Sequence, residues 1–203
     1  AYIWALLQTE EIFCDILGLR LFAESYLHAF NYLLSPSISG PRPLHYPNIS
    51  RRVICLMKAA TEFNITYSPD LNAEFIDGEE PSDSTTAMLV SIADDVSDAL
   101  VPDLIQLTKE FAENKAIPSR NPARVHHIKN EYQKWITPTA KKETLTDILN
   151  AGWECDQDQK LWDNVSQIKP EDRGRVLRDL LLKSMEISEI YERLGPHYAS
   201  QSE

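Results

Sequence analysis

Cysteine, glycine and positive charge are all scarce in these 203 residues, and each scarcity removes a class of protein. The three cysteines, Cys14, Cys55 and Cys155, are too few and too scattered for a disulfide framework. None forms a C-x-x-C pair, which excludes a zinc knuckle or a dithiol redox site and points to a reducing, cytoplasmic setting. The six glycines form neither G-x-x-x-x-G-K-[ST] nor G-x-G-x-x-G, so no loop is built to cradle phosphate, and a G-x-S-x-G elbow is missing too. Lys and Arg number 20 against 31 Asp and Glu, a formal charge of -11, and a surface of that sign is a poor match for nucleic acid. Long uncharged apolar runs are absent as well: the hydrophobic opening, residues 1–34, is interrupted by Glu10, Glu11, Asp15, Arg20 and Glu24. That excludes a membrane span there, and with no basic flank or small-residue cleavage site it is not a signal peptide.

What remains is a globular composition, 43% apolar and 25% charged, patterned for helices. Strand-like alternation is rare, and the fold class expected is all-α: an irregular multi-helix domain with a Pro-rich loop and a long acidic central helical segment. A helix or helix pair occupies residues 1–34. Pro36, Gly40, Pro41, Pro43 and Pro47 then make a rigid loop around His45. A helix over 50–63 turns Val53, Leu56, Met57 and Ala60 inward. Residues 64–83 read as a loop, and 84–115 as a long helix bent near Pro102, which lacks the N–H that its ladder needs. Two further helices cover 144–154 and 170–195, the second opened by Pro170 with Glu171 and Asp172 in its first turn. The tail from Tyr198 is expected to fray.

The charge is local. Residues 66–115 carry twelve Asp and Glu against only Lys109 and Lys115, whereas 116–142 carry Arg120, Arg124, Lys129, Lys134, Lys141 and Lys142 against Glu131. The simplest account is two solvated helix faces of opposite sign; the acidic one is also a candidate surface for a protein partner. We therefore divide the chain into apolar helices (1–64), an acidic then basic helical segment (65–142) and a C-terminal packing segment (143–203), together one continuous domain. Ala1 opens directly into an apolar helix without a methionine, so more protein is expected upstream.

One constellation suggests chemistry. At about 100° per residue, Gln8, Glu11 and Asp15 fall on one stripe of the first helix, together with Trp4, Leu7, Gly18 and Phe22. Carboxylates on an apolar face need a cation, a histidine or a metal. The run TEEIFCDILG resembles the helix that follows H-E-x-x-H in gluzincin-type zinc metallopeptidases. That resemblance implies zinc, with Glu11 as its third protein ligand and Asp15 one turn on, hydrogen-bonding a ligating histidine. Gly18 would allow close helix approach. HYPNISRR, beginning at His45, is similar to the His-Pro…Arg stretch of the prenyl-protein and heat-shock membrane peptidase branch, although Tyr46 here separates His45 from Pro47. It implies that His45 or Arg51 stabilises the oxyanion formed when zinc-bound water attacks a peptide carbonyl. LTDILNAGWEC and VLRDLLLKSMEISEIYERL resemble C-terminal helices of uncharacterised bacterial proteins with a zincin-like helix pair. H-E-x-x-H itself is not among these residues, so an upstream segment or a second chain would have to supply it.

The alternative is a non-catalytic interaction or regulatory module, for example a defence-associated scaffold, that binds a protein partner through the acidic segment. Glu11 and Asp15 would then accept hydrogen bonds from Arg51, Arg52 or a helix N-terminus inside an inert core. His127 and Glu131 are a helical turn apart and, with His126, could approach a metal, but their basic, polar setting reads as an exposed helix start. His28, between Leu27 and Ala29, reads as a core histidine. Cys14 has no neighbouring base to lower its pKa.

Overall fold

The computed structural model describes residues 1–35, 40–138, 143–163 and 168–199, and among them the chain is all-α. The helices are α1 (Tyr2–Phe22), α2 (Glu24–Leu34), α3 (Ile49–Glu62), α4 (Ser84–Asn114), α5 (Pro122–Tyr132), α6 (Leu145–Asp156), α7 (Gln159–Asp163) and α8 (Pro170–Ala199), with one 3-10 turn at Leu71–Glu74. No helix among the described residues is long and apolar enough to cross a membrane. The chain divides into two compact units, Ala1–Pro118 and Ser119–Glu203. The boundary falls inside the stretch read as acidic then basic, and separates its acidic part from its basic part.

In the first unit, α1 buries Ala5, Gln8, Ile12, Asp15, Ile16 and Leu19, a helical stripe that packs against α3 and α4. Helices α1 and α4 run in the same direction. Gln8 near the start of α1 accepts from Ser97 of α4 at 3.4 Å, and Arg20 near its end donates to the carbonyl of Ile117, just beyond α4, at 3.2 Å. The apolar opening is a helix pair because the chain turns at Ala23, held at a positive φ of 53°. The helix α3 then brings Val53, Leu56, Ala59 and Ala60 into the core with Phe30, Val101 and Ile105. Met57 only packs against its edge. Asp83 caps α4 by accepting from the N–H of Thr86 at 2.7 Å, and Pro102 lies inside that helix.

In the second unit α6 packs against α5 and α8 around Val125, Ile128, Tyr132, Ile148, Ala151, Cys155, Trp162 and Leu177. Asn121 caps α5, with Pro122 in its first turn. Gly152 permits the approach of α8, because a Cβ there would come within 2.5 Å of a Leu181 methyl. The short α7 has no periodic signature in the sequence. Pro36, Lys141 and Lys142 lie outside the described residues; α8 runs to Ala199, and the rest of the expected frayed tail, 200–203, lies outside them too.

Candidate functional site

Glu11 and Asp15 stand one turn apart on the buried side of α1, and the group that meets them is an arginine. Arg52, on α3, places Nε 2.8 Å from Asp15 Oδ2 and Nη2 2.8 Å from Oδ1, a two-pronged ion pair. The same guanidinium lies 3.4 Å from Glu11 Oε2 and 5.2 Å from the centre of the Phe30 ring. The Tyr26 hydroxyl donates to Asp15 Oδ1 at 2.7 Å. Asp15 is 2% exposed, so its charge is compensated by one cation and one phenol inside the core. Tyr26 reaches it from α2 because its ring lies against Gly18, where a Cβ would sit only 2.3 Å from a ring carbon. The close approach expected at Gly18 is thus that of an aromatic ring.

These groups tune one another. Burial works against the Arg52 charge, but the hydrogen bonds and charges of Asp15 and Glu11 outweigh it and hold the guanidinium above its ordinary range. Burial and the Asp15 carboxylate both push the Tyr26 hydroxyl up, so it stays a protonated donor. Burial, with Glu11, Asp15 and Glu10 beside it, also raises the thiol of exposed Cys14. A thiol held protonated is a poor nucleophile.

A second network ties the Pro-rich loop to α4. Arg42, buried, donates to Asp94 through both Nη1 (2.9 Å) and Nη2, and Nη1 also reaches Glu80 at 3.1 Å. Arg51 donates to Asp98 at 2.6 Å and lies 3.6 Å from Asp94. Asn48 donates to Glu80 at 2.8 Å, and Asp77 accepts from the N–H of Ser50 in the first turn of α3 at 2.9 Å. Much of the acidity of 66–115 is therefore spent on internal arginines and helix caps.

The remaining expected residues disperse. His45 is exposed, its ring 4.6 Å from that of Tyr46, and Arg51 faces α4 rather than the Glu11–Asp15 pair. His126 and His127 are exposed, and Glu131 pairs with Lys134 at 3.0 Å. His28 is exposed on α2 and not a core residue. Its apolar sequence neighbours, Leu27 and Phe30, point to another side of the helix, into the core. Among the described residues no three His, Cys, Asp or Glu side chains gather as a metal site. With both Asp15 oxygens accepting from Arg52 and Tyr26, the donor set around Glu11 and Asp15 suits a guanidinium rather than zinc.

No family model, curated protein or solved structure matches the chain. Its own surface is the remaining guide. The side of α4 turned away from α1 and α3 exposes Met88, Ile92, Val96, Leu100, Leu107 and Phe111, each between 38% and 58%. These residues follow one another at four-residue steps, broken only between Leu100 and Leu107, where Asp103 occupies the place in the row. Asp95, Asp103 and Glu110 are exposed on the same side. The acidic charge of 66–115 masks this row in the sequence. The signal was present in the steps M-x-x-x-I-x-x-x-V-x-x-x-L, set beside the buried row Val90, Ala93, Ser97 and Val101: the apolar surface of the helix extends well beyond its buried side, and a helix buried on one side needs only that side apolar.

Proposed function

We propose that this chain is a non-catalytic helical interaction module that binds a protein partner through the outward side of α4. The observation that carries the reading is the exposed row from Met88 to Phe111. Single exposed apolar residues are ordinary on a protein surface; six aligned on one helix are characteristic of an interaction surface. The arginine clusters fit the same role, because they brace α1, α3, the Pro-rich loop and α4 into a rigid support for that face. A photo-reactive residue at Val96 is expected to give a discrete adduct in the native host. That adduct should disappear with Leu107→Ser and persist with Glu11→Gln. An adduct indifferent to Leu107→Ser would overturn the reading.

Zinc peptidase chemistry at Glu11 and Asp15, with His45 or Arg51 on the oxyanion, is the competing proposal. It requires histidines from outside these residues and the withdrawal of Arg52 from both carboxylates. Metal analysis of the chain together with the segment or partner that supplies H-E-x-x-H separates the two: the interaction reading expects no stoichiometric zinc there, and zinc lost on Glu11→Gln would favour the peptidase.

A further inference from the structure

We infer that the partner seated on α4 is a basic amphipathic helix that places a lysine or arginine against Asp103. The inference rests on the reading of α4 as a docking face and specifies what docks there. It starts from the row itself. Counting Asp103, the exposed positions are 88, 92, 96, 100, 103, 107 and 111, steps of four or three throughout, which is the pattern of a helix seam. Six of the seven positions are apolar, and the seventh is an aspartate in the interior of the row. Opposing apolar side chains would cover Asp103, and a covered carboxylate without a cation is strongly unfavourable. A single charged position inside an apolar seam therefore acts as a register pin: it tolerates a partner only where a cation stands opposite.

Among the described residues no cation is paired with Asp103 or Asp95, whereas Asp94 and Asp98, on the inner side of the same helix, are held by Arg42 and Arg51. The one basic residue within α4, Lys109, is engaged with Glu62 of α3 at 2.9 Å. Glu110 adds negative charge on the outward side and accepts only from the neutral amide of Gln106, at 2.8 Å. The charged residues set along the outward row of α4 are thus Asp95, Asp103 and Glu110, all acidic, and the surface complementary to that row is apolar and basic. A helix fits it better than an extended strand, because four-residue steps present ridges that another helix's side chains can enter.

The test uses the full chain and three fluorescent helical peptides of equal length and identical leucine face, differing only in a central Lys, Leu or Glu. Anisotropy titration at low salt is expected to show the lysine peptide binding at least tenfold more tightly than the glutamate peptide, with the gap narrowing as salt rises. Asp103→Lys should reverse that order, Val96→Ser and Leu107→Ser should weaken all three peptides, and Asp179→Lys in the second unit should change nothing. All four substitutions are at exposed positions, and circular dichroism checks that the fold is retained. If the peptides bind alike, yet remain sensitive to Val96→Ser and Leu107→Ser, the charge specificity is overturned and the docking face stands. If binding ignores Val96→Ser and Leu107→Ser, both the inference and the docking face fall. Concentration-dependent self-association in sedimentation, abolished by Leu107→Ser, would instead make the occupant a second copy and overturn the basic helix.

Discussion

At the scale of single residues, the informative pair is Arg51 and Arg52. Consecutive positions on a helix point about 100° apart, and that difference sends Arg51 to Asp94 and Asp98 of α4 while Arg52 goes to Asp15 and Glu11 of α1. The two neighbours belong to different networks. Removing one member of a buried pair leaves an uncompensated charge and typically costs about 3–5 kcal/mol. Arg52→Met is expected to destabilise the first unit by that order, read as the shift in urea midpoint. Asp15→Ala combined with Arg52→Met should cost clearly less than the two single losses added together. Arg52→Lys should not restore the wild-type midpoint, since an ammonium cannot span both Asp15 oxygens. Additive losses would show that the pair is not coupled. The sequence showed that Glu11 and Asp15 share a stripe and need compensation, because helical spacing is local information. It could not show which cation answers, because Arg52 lies 37 positions from Asp15 and either of two adjacent arginines would have served.

At the scale of elements, α4 is the least conventional piece. Pro102 is embedded in it, so the carbonyl of Asp98 lacks its i+4 donor, and a proline inside a helix costs on the order of 3 kcal/mol relative to alanine. The groove beside it, about 580 Å³ and lined by Lys58, Thr61, Val101, Ile105 and Lys109 among others, leaves room for the ring. Pro102→Ala is therefore expected to raise stability by about 1–3 kcal/mol, measured by chemical denaturation. A loss of stability would mean that the packing of α1 and α3 depends on the irregularity Pro102 introduces. Most helix positions were readable from apolar spacing and breakers, with Pro170, Glu171 and Asp172 opening α8 as expected; α5, capped by Asn121 and opened by Pro122, was legible only as a basic segment with a helix start near His126. The corner at Ala23 was not legible. Alanine carries no turn preference, and its positive φ is imposed by tertiary packing around a buried methyl, 2% exposed.

At the scale of the whole molecule, the groups whose pKa is most displaced are buried thiols and phenols. Burial is the leading cause in each: it pushes Cys55 up to about 11, Cys155 and Tyr132 up to about 12, and Tyr26 higher than its usual range. The folded chain keeps these protons at pH values where the unfolded chain releases them, so stability is full below the ordinary thiol value of 9.0 and falls as pH rises from there toward 12. Denaturant midpoints should be level to about pH 9 and then decline, and Cys55→Ala with Cys155→Ala should delay the decline. A midpoint unchanged at pH 11 would sink this expectation. The fold class was legible at this scale because composition and period average over many residues. The division after Pro118 was not, because no glycine or serine run marks it: the break shows only in which apolar side chains gather into which core.

That division also bears on how the chain meets proteases. Residues 117–120 form no regular structure, and Pro118 and Ser119 are exposed, as good cleavage sites are. On one side the Arg20 guanidinium holds the carbonyls of Ile117 and Pro118; on the other Arg120 is held to Glu154. A cut at Ser119 would therefore sever the chain without loosening either end, and each unit would keep its own core, the first with the α4 face intact.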